Sequence, residues 1–304
     1  MPAPHPVLNP VLDPAPHPVL DPALDPVERT ALLTAALRAA ETRREDRLYE
    51  DPYAAGLVGD AGPELLAEIR AATFPPDRPR TLPSTPDYNA IRTRFFDDLL
   101  QRAAREPETT QIVLAPAGMD SRAYRLPWPA HIRYFEVDRQ AVLDFKAERL
   151  RGVEPRVDHR TVAVDLTSPD WEDRLVASGY DPAVPSTWLL EGLLYYIPEA
   201  DAHRMLERVA AISAPGSRIA ADIVNAAALR LPHMRGLLDV FAGWGCPWVF
   251  GTDEPEALFQ RYGFDVRAVQ PGEPEADYGR WPDPVPPRGV TEVRRVFFVH
   301  GRRR

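Results

Sequence analysis

From Gln111 onward the sequence alternates between strand-like and helix-like segments, and this alternation limits the folds that the chain can adopt. Strands joined by helices pair in parallel, with helices covering both faces of the sheet. The segment 270–293 is rich in proline and has no helical period, so the last two strands are expected to pair antiparallel. The strand-like runs are 111–117, 132–138, 160–166, 186–194, 217–224, 264–269 and 294–300, and the helix-like segments are 139–151, 169–178, 199–213 and 254–262. The pattern predicts an α/β fold with a mostly parallel seven-stranded sheet and an antiparallel last strand.

The residues before Gln111 lack this alternation. Residues 4–15 (PHPVLNPVLDPA) are nearly repeated in residues 16–27 (PHPVLDPALDPV), and prolines at this density oppose helix formation. We therefore expect residues 1–26 to be a disordered tail. Residues 27–110 are mainly helical in pattern, with a proline-rich loop at 74–86, and are expected to form a helical cap. The α/β domain would then cover 111–304, with an insertion around 225–253 that forms part of a substrate pocket.

Composition narrows the class of protein. The chain has 304 residues, of which 44% are hydrophobic, so it can bury a full core. A net charge of −9 argues against a nucleic-acid partner, and no apolar run reaches the length of a membrane span. The single cysteine, Cys246, allows no disulfide within the chain and fits a reducing cytoplasm, where we expect the protein. The seven histidines lack metal-ligand spacing, so we predict no metal site.

Several candidate ligand-binding residues follow directly on predicted strands. In open α/β sheets the ligand lies across the carboxyl ends of the strands. Residues near those ends are Gly118, Asp138, the pair Asp165 and Leu166, and Glu191. An aspartate at the end of the second strand can accept hydrogen bonds from two ribose hydroxyls or can cap the next helix. The ribose interpretation fits both NAD and S-adenosylmethionine, so Asp138 alone does not distinguish these cofactors.

Glu191 and several arginines raise the question of charge pairing. Glu191 lies inside an apolar run, and a buried carboxylate is costly unless it has a partner. An ammonium group of a ligand or an arginine would satisfy it. Arg43 and Arg44, and also Arg92 and Arg94, precede the sheet and can grip a carboxylate at two points if their helices fold over it.

Seven segments together resemble the leucine carboxyl methyltransferase-like family of class I S-adenosylmethionine-dependent methyltransferases, in its bacterial natural-product branch. They are TRREDRLYEDPYA, IRTRFFDD, APAGMDSRAYRLPWP, YFEVDRQAVLDFK, VAVDL, WLLEGLLYYIP and YGRWP…RRVFFVHGRR. The resemblance covers about Arg29 to Arg302. It implies a Rossmann-like class I methyltransferase fold, with S-adenosylmethionine bound by the α/β domain.

Position by position, the resemblance implies which residues bind the cofactor. They are Arg44 and Arg92 at the methionine carboxylate, Gly118 close beneath the cofactor, Asp138 at the ribose, Asp165 and Leu166 at the adenine, and Glu191 at the methionine end. One glycine in the first loop is enough, because this nucleoside has no pyrophosphate for a glycine-rich loop to cradle. Pro116 departs from the glycine or alanine usual in the family, and cofactor affinity is the property that this departure would affect.

The reaction is less constrained by the sequence than the cofactor. The resemblance implies a small-molecule secondary metabolite as substrate, with O-methylation of a carboxylate or phenol favoured. The aromatic residues Phe241, Trp244, Trp248 and Phe250 leave open C- or N-methylation of an electron-rich ring such as an indole. Candidates for the substrate pocket are Tyr195, Tyr196, Trp244 and Trp248, and no catalytic base is assigned. An NAD-dependent oxidoreductase and a non-catalytic binding protein remain as alternatives, and the oligomeric state is open.

Overall fold

The computed structural model describes residues 26–73, 85–281 and 284–304. A seven-stranded sheet forms its centre, with strand order β3-β2-β1-β4-β5-β7-β6. Only β7 runs antiparallel to its neighbours β5 and β6. The strands are β1 (Gln111–Leu114), β2 (Arg133–Asp138), β3 (Asp158–Ala163), β4 (Ser186–Leu190), β5 (Arg218–Val224), β6 (Phe264–Val269) and β7 (Val296–Arg303). The predicted antiparallel pairing of the last two strands is confirmed.

Ten helices accompany the sheet within these described ranges. They are α1 (Pro26–Thr42), α2 (Ala54–Val58), α3 (Gly62–Thr73), α4 (Thr85–Ala104), α5 (Arg122–Arg125), α6 (Gln140–Arg149), α7 (Trp171–Ala177), α8 (Glu199–Ala211), α9 (Arg235–Gly243) and α10 (Pro255–Gln260). None of them combines the length and apolar composition needed to cross a membrane. The repeat within residues 4–25 and most of the 74–86 loop lie outside the described residues.

Each face of the sheet has its own hydrophobic core, because successive side chains of a strand point to opposite faces. In β1, Ile112 and Leu114 pack with helices α1, α3, α4 and α6. Val113, between them, packs on the other face with α7, α8 and α10. The central strands β1, β4 and β5 are therefore covered on both sides, and nearly all of their residues are buried.

The helices that precede β1 lie directly on the sheet. Helix α1 packs against α2, α3 and α4. On α4, Phe95 and Phe96 contact Phe298 of β7, with ring centroids 5.0 and 5.5 Å apart respectively. The segment interpreted as a cap thus shares one hydrophobic core with the sheet, and this contact brings α1 and α4 over the carboxyl ends of the strands.

Several strand boundaries were predicted wrongly: β1 ends at Leu114 and not at 117, and β7 covers Val296–Arg303 and not 294–300. The differences at β4 and β3 are the ones that concern the site. The run 186–194 was expected to be one strand, but β4 ends at Leu190. Gly192 takes a φ of +66°, and its amide donates to the buried Asp222 side chain at 2.6 Å, so the chain leaves the sheet there. The run 160–166 begins and ends earlier than expected, because β3 pairs with β2 over Asp158–Ala163. Both shifts leave polar side chains just beyond a strand end.

Candidate functional site

A cavity of about 370 Å³ lies at the carboxyl ends of β1, β2 and β4 and beneath α1 and α4. We call it the polar cavity. Six of the seven predicted cofactor residues line it: Arg92, Gly118, Asp138, Asp165, Leu166 and Glu191. Arg44 is not among its lining residues. The fold therefore gathers at one site residues that are up to about one hundred positions apart in sequence.

The loop after β1 forms the floor of the polar cavity. Gly118 has a φ of +46°, a conformation that side chains with a Cβ rarely adopt. A Cβ added there would also stand 3.4 Å from the Cβ of Ala31 on α1. Pro116 lines the same cavity after a cis peptide bond, and the next residue keeps the loop attached through a 3.0 Å hydrogen bond from the Ala117 amide to the Val137 carbonyl.

Asp138 ends β2 beside this loop. Its Oδ2 accepts from the Gly118 amide and its Oδ1 from the Arg139 amide, both at 2.7 Å. Burial raises the pKa of Asp138, and the two amide hydrogen bonds only partly offset that effect. Each carboxylate oxygen has a second lone pair, so Asp138 can still accept a ligand hydroxyl.

Asp165 and Leu166 form the rim at the end of β3. Asp165 Oδ1 accepts from the amide and the hydroxyl of Thr167, at 2.8 and 2.7 Å. The hydrogen bond from the Thr167 hydroxyl lowers the pKa of Asp165. Both hydrogen bonds fall on Oδ1, and the exposed carboxylate therefore has Oδ2 available toward the cavity.

Glu191 has two arginine partners. Its Oε1 lies 3.0 Å from Arg92 Nε, and its Oε2 lies 2.8 Å from Arg122 Nη1. Arg92 also contacts Asp222 Oδ2 through Nη1 at 2.9 Å. The sequence analysis predicted that Glu191 needs a positively charged partner, and the structure shows two, one arginine on α4 and one on α5.

These contacts belong to a continuous chain of buried ion pairs. Arg122 contacts Asp97 and Asp120 at 2.7 and 2.6 Å. Arg125 contacts Asp97 at 2.7 Å and continues to Asp51 at 3.9 Å. The members of this charge network are Arg38, Arg92, Arg122, Arg125, Asp51, Asp97, Asp120, Glu191 and Asp222. Most members contact two or more opposite charges, so the network holds these side chains in one geometry.

Arg38, rather than Arg44, brings the positive charge of α1 to the polar cavity. Arg38 lines the cavity, pairs with Asp51 at 2.8 Å and donates to the Met119 carbonyl. Arg44 follows the end of α1 at Thr42, and its side chain is 46% exposed and paired with Asp46. The structure thus places Arg44, predicted at a ligand carboxylate, outside the lining of the polar cavity, because the helix ends before Arg44 can face the sheet.

A second, smaller cavity of about 70 Å³ adjoins the polar one, and its wall is mainly aromatic and aliphatic. We call it the aromatic cavity. Arg92, Tyr195 and Tyr196 line both cavities. Trp248 and Phe241 line only the aromatic cavity, where their rings stack with centroids 5.4 Å apart. Three of the four predicted substrate-pocket residues thus lie at this wall.

Trp244, the fourth, does not line either cavity. Its ring packs edge-on against Phe241, and its indole Nε1 donates to Glu68 on α3 at 3.0 Å. Phe250 also lies elsewhere, in the core on the opposite face of the sheet. Trp244 therefore joins α9 to α3 and supports the aromatic cavity from behind.

The shared wall is held together by Asp222. Its Oδ2 accepts from the hydroxyls of Tyr88 and Tyr195, at 2.8 and 3.3 Å, and from Arg92. Burial and the neighbouring Asp222 charge raise the pKa of Tyr88 and of Tyr195 well above the usual value for tyrosine. Both phenols therefore keep their protons and act as hydrogen-bond donors.

The charge of the polar cavity fits a zwitterionic nucleoside that carries an additional positive charge. Its wall has four carboxylates (Asp120, Asp138, Asp165 and Glu191) against three arginines (Arg38, Arg92 and Arg139), which is one excess negative charge. S-Adenosylmethionine has an ammonium, a carboxylate and a sulfonium, so its net charge is opposite in sign. The residues present thus fit this group in size, polarity and charge.

Several members of the site had no distinctive signal in the sequence. Asp222 and Tyr88 stand in ordinary strand and helix patterns, and only their meeting with Arg92 reveals their role. Asp120 and Arg122 lie within the segment APAGMDSRAYRLPWP that marks the first loop. The closeness of these two charged residues to the end of β1 was the one feature of the sequence that could have marked them as part of the site.

Comparison with known proteins identifies the family to which the chain is similar. The profile of the family described as "leucine carboxyl methyltransferase" matches residues 31–210. A protein from Parafrankia, provisionally named an S-adenosyl-L-methionine-dependent methyltransferase, is 46% identical over 64% of this chain and 63% of its own length. A similarly named protein from Streptomyces avermitilis is 39% identical over 85% of this chain and 90% of its own length. The chain spans 63% of the length of the Parafrankia protein and of two mycobacterial relatives.

A solved structure shows the same fold. The crystal structure of a DUF574 family protein from Streptomyces avermitilis superposes with a TM-score of 0.57 and 14% identity, covering 91% of this chain and all of that one. The sheet order with its antiparallel β7 and the sequence match agree with each other. The chain belongs to the leucine carboxyl methyltransferase family of class I methyltransferases.

Proposed function

We propose that this protein is an S-adenosylmethionine-dependent methyltransferase that acts on a small-molecule metabolite in the cytoplasm. The observation that carries the proposal is the junction of two unlike cavities. A polar cavity with the predicted nucleoside-binding residues adjoins an aromatic cavity, and Arg92, Tyr195 and Tyr196 line both. A charged cofactor and a mainly apolar acceptor would meet at this shared wall.

Residues of the polar cavity would hold the cofactor as follows. Asp138 would accept the ribose hydroxyls, and Asp165 the adenine amino group, with Leu166 against the ring. The Gly118 backbone would pass close beneath the nucleoside. Supporting this assignment, Asp138 and the Gly118 amide already lie 2.7 Å apart, so the two would contact the ligand as one unit.

Charged side chains would hold the methionine end. Glu191 presents a carboxylate that can attract the ammonium group, while Arg92 and Arg122 keep Glu191 in place. Arg38 takes the place expected for Arg44 and would attract the methionine carboxylate. Because these side chains are paired before the ligand arrives, little reorganisation is needed when it binds.

The protein's part in the reaction would be alignment and exclusion of water. When bound, S-adenosylmethionine supplies an electrophilic methyl group, which passes to the acceptor as the sulfonium becomes the thioether of S-adenosylhomocysteine. Tyr195 and Tyr196 would hold the acceptor against the cofactor cavity. Glu191 and Asp222 are engaged by Arg92, and the tyrosines retain their protons, so this wall is suited to positioning the acceptor and not to removing its proton.

This arrangement supports oxygen as the accepting atom, in a carboxylate or an acidic phenol. Such an oxygen is ionised at or near neutral pH and needs no strong base. The stacked rings of Phe241 and Trp248 favour one alternative, which is methylation of carbon or nitrogen on an electron-rich ring held between aromatic side chains.

Two measurements test the proposal. In thermal-shift titrations we expect S-adenosylhomocysteine, and not NAD, to raise the melting temperature, because a ligand that binds only the folded state stabilises it. Labelled S-adenosylmethionine would then be incubated with polyketide acids, phenols and tryptophan-derived cyclic dipeptides. Stabilisation by NAD alone would overturn the cofactor assignment, and products methylated only on carbon or nitrogen would overturn the preferred acceptor atom.

A further inference from the structure

Arg294 is a cation at the aromatic cavity that the proposed function leaves unused. It precedes β7, is half-buried and lines the aromatic cavity but not the polar one. Within the described residues, its one hydrogen bond runs from Nη1 to the Met234 sulfur at 3.8 Å. A thioether is a weak acceptor, so most of the donor capacity of this guanidinium remains available.

Its neighbour in sequence, Arg295, shows how a structural arginine in this fold is satisfied. Arg295 donates to Gln270 Oε1 at 2.7 Å and to the carbonyls of Pro286, Pro287 and Val290 at 2.5–2.8 Å. Four oxygen acceptors hold it in place. Among the described residues Arg294 has no comparable set of partners, although even partial burial of a cation is costly without them.

The other arginine of the aromatic cavity is also satisfied. Arg92 faces the same space but is neutralised by Glu191 and Asp222. Arg294 has no carboxylate within salt-bridge distance among the described residues, and burial lowers its pKa. The phenol of Tyr88 partly offsets this effect on the pKa of Arg294, and this phenol keeps its proton. The aromatic cavity therefore has one uncompensated positive charge.

Building on the proposed function, we propose that the methyl acceptor is an aromatic carboxylic acid whose carboxylate pairs with Arg294. The fork of N–H donors on a guanidinium matches a carboxylate in two-point geometry. Phe241 and Trp248 contribute the apolar surface for the ring. The acceptor class is therefore an anion with an aromatic body, rather than a neutral hydrocarbon or an amine.

The position of Arg294 also indicates which end of the acceptor is methylated. Arg294 lies on the part of the aromatic cavity that the polar cavity does not share, whereas Tyr195 and Tyr196 line both. The carboxylate at Arg294 is then an anchor, and the reacting atom is the ionised oxygen of an acidic phenol directed at the shared wall, so no proton has to be removed there. Within the two oxygen acceptors of the proposed function, this selects the phenol.

Binding measurements with matched probes test the anchor without requiring turnover. The protein, saturated with S-adenosylhomocysteine, would be titrated calorimetrically with 4-hydroxyphenylacetate and indole-3-acetate and with their primary amides. We expect the wild type to bind the better of these acids at least tenfold more tightly than its amide, because only the carboxylate forms a charge-assisted pair. Arg294→Gln should abolish this preference, and Arg294→Lys should restore part of it.

Arg230→Gln provides the matched control, because Arg230 is an exposed arginine paired with Glu292. That variant should keep the preference for the acid. S-Adenosylhomocysteine should bind all variants equally, and its failure to bind the wild type would count against the proposed function and not against the anchor. An unchanged preference in Arg294→Gln, no preference in the wild type, or no binding of either acid would overturn the anchor. A product methylated on the carboxylate would overturn the assigned orientation.

Discussion

The polar and aromatic cavities share a wall at Arg92, Tyr195 and Tyr196, but they differ in whether their other arginines are paired with carboxylates. Around the polar cavity, Arg38, Arg92 and Arg122 all have carboxylate partners within 3.0 Å. In the aromatic cavity, Arg294 hydrogen-bonds only to a sulfur among the described residues. The arginines of the polar cavity are therefore neutralised by the protein itself, whereas Arg294 in the aromatic cavity would be neutralised by a bound ligand.

This difference follows from what each cavity has to do. Paired charges hold side chains in a fixed geometry at the cost of desolvation, which suits a site that always takes the same cofactor. An unpaired guanidinium gains an ion-pair partner only when an anionic ligand binds, so it can favour one acceptor over another. The contrast predicts that substitutions around the polar cavity affect stability and cofactor affinity, whereas those in the aromatic cavity affect the acceptor.

Replacing Arg122 should have the greatest effect, because its guanidinium contacts Asp97, Asp120 and Glu191 at 2.6–2.8 Å. Arg122→Met would remove the arginine partner of Asp120 and one of the two arginine partners of Asp97 and of Glu191, and it should lower the free energy of unfolding by about 3–5 kcal/mol. Urea denaturation followed by circular dichroism measures this change. Arg44→Met is the control, since an exposed ion pair contributes only about 0–1 kcal/mol. Equal, small losses in both variants would show that the network does not stabilise the fold.

Asp138→Ala should be next in size and should act on cofactor affinity. Loss of a charged hydrogen-bond acceptor is expected to weaken binding of S-adenosylhomocysteine by about 1.5–3 kcal/mol. Calorimetric titration of the folded variant tests this, with Asp173→Ala as a control at an exposed aspartate of α7. Unchanged affinity in Asp138→Ala would refute the ribose assignment.

The same carboxylate predicts a pH dependence. Burial raises the pKa of Asp138, so this group takes up a proton at a higher pH than an ordinary aspartate. Because the ionised form accepts the ribose hydroxyls, affinity for S-adenosylhomocysteine should fall as the pH is lowered through that raised pKa. Asp138→Asn should flatten this limb of the affinity profile, and an identical profile in both proteins would contradict the assignment.

Arg38 and Arg44 provide a direct test of the corrected carboxylate contact. Arg38→Gln should weaken S-adenosylhomocysteine binding about tenfold, or about 1.4 kcal/mol, as expected for a hydrogen bond to a charged group. Arg44→Gln should leave it unchanged, because Arg44 is exposed and lies outside the cavity lining. The reverse ranking would return the contact to Arg44. Melting temperatures of both variants control for loss of the Arg38–Asp51 pair.

The smallest effect is expected in the aromatic cavity. Trp248 packs on Tyr195 and Phe241, with ring centroids 4.8 and 5.4 Å away. Trp248→Leu removes the aromatic contacts but keeps apolar volume, and it should weaken acceptor binding by about 0.5–1.5 kcal/mol. Cofactor affinity should stay the same. A fall in S-adenosylhomocysteine affinity larger than the fall in acceptor affinity would show that the two cavities are not separate in function.

Much of the fold could be predicted because it depends on local patterns. Alternating strands and helices indicated the parallel sheet, and the proline-rich segment 270–293 indicated the antiparallel end. Gly118 and Asp138 could be found because the carboxyl ends of parallel strands meet at one edge. The end of β4 was missed, since an apolar run such as 186–194 does not show where Gly192 turns the chain away from the sheet.

The site's charge partners could not be predicted in the same way. Arg44 follows the end of α1, whereas Arg38 lies within the helix and faces the sheet, and arginine composition alone does not separate them. Trp244 and Trp248 are four positions apart in one aromatic segment, yet Trp248 lines the cavity and Trp244 packs toward α3. The direction of each side chain depends on which neighbouring helix it meets.

The sequence by itself determined the sheet, the placing of Gly118 and Asp138 after β1 and β2, and the family, because hydrophobic periodicity and short motifs are properties of neighbouring residues. Only the tertiary structure decided that Asp222 joins Tyr88, Arg92 and Tyr195 in one wall, and that Arg294 faces the aromatic cavity with a sulfur as its partner. These contacts join residues more than twenty positions apart in sequence, and ion pairing depends on distance and burial in space. The sequence does not show whether a charged residue is solvated, paired with another charge or available to bind a ligand. That depends on how the side chain packs in the folded protein.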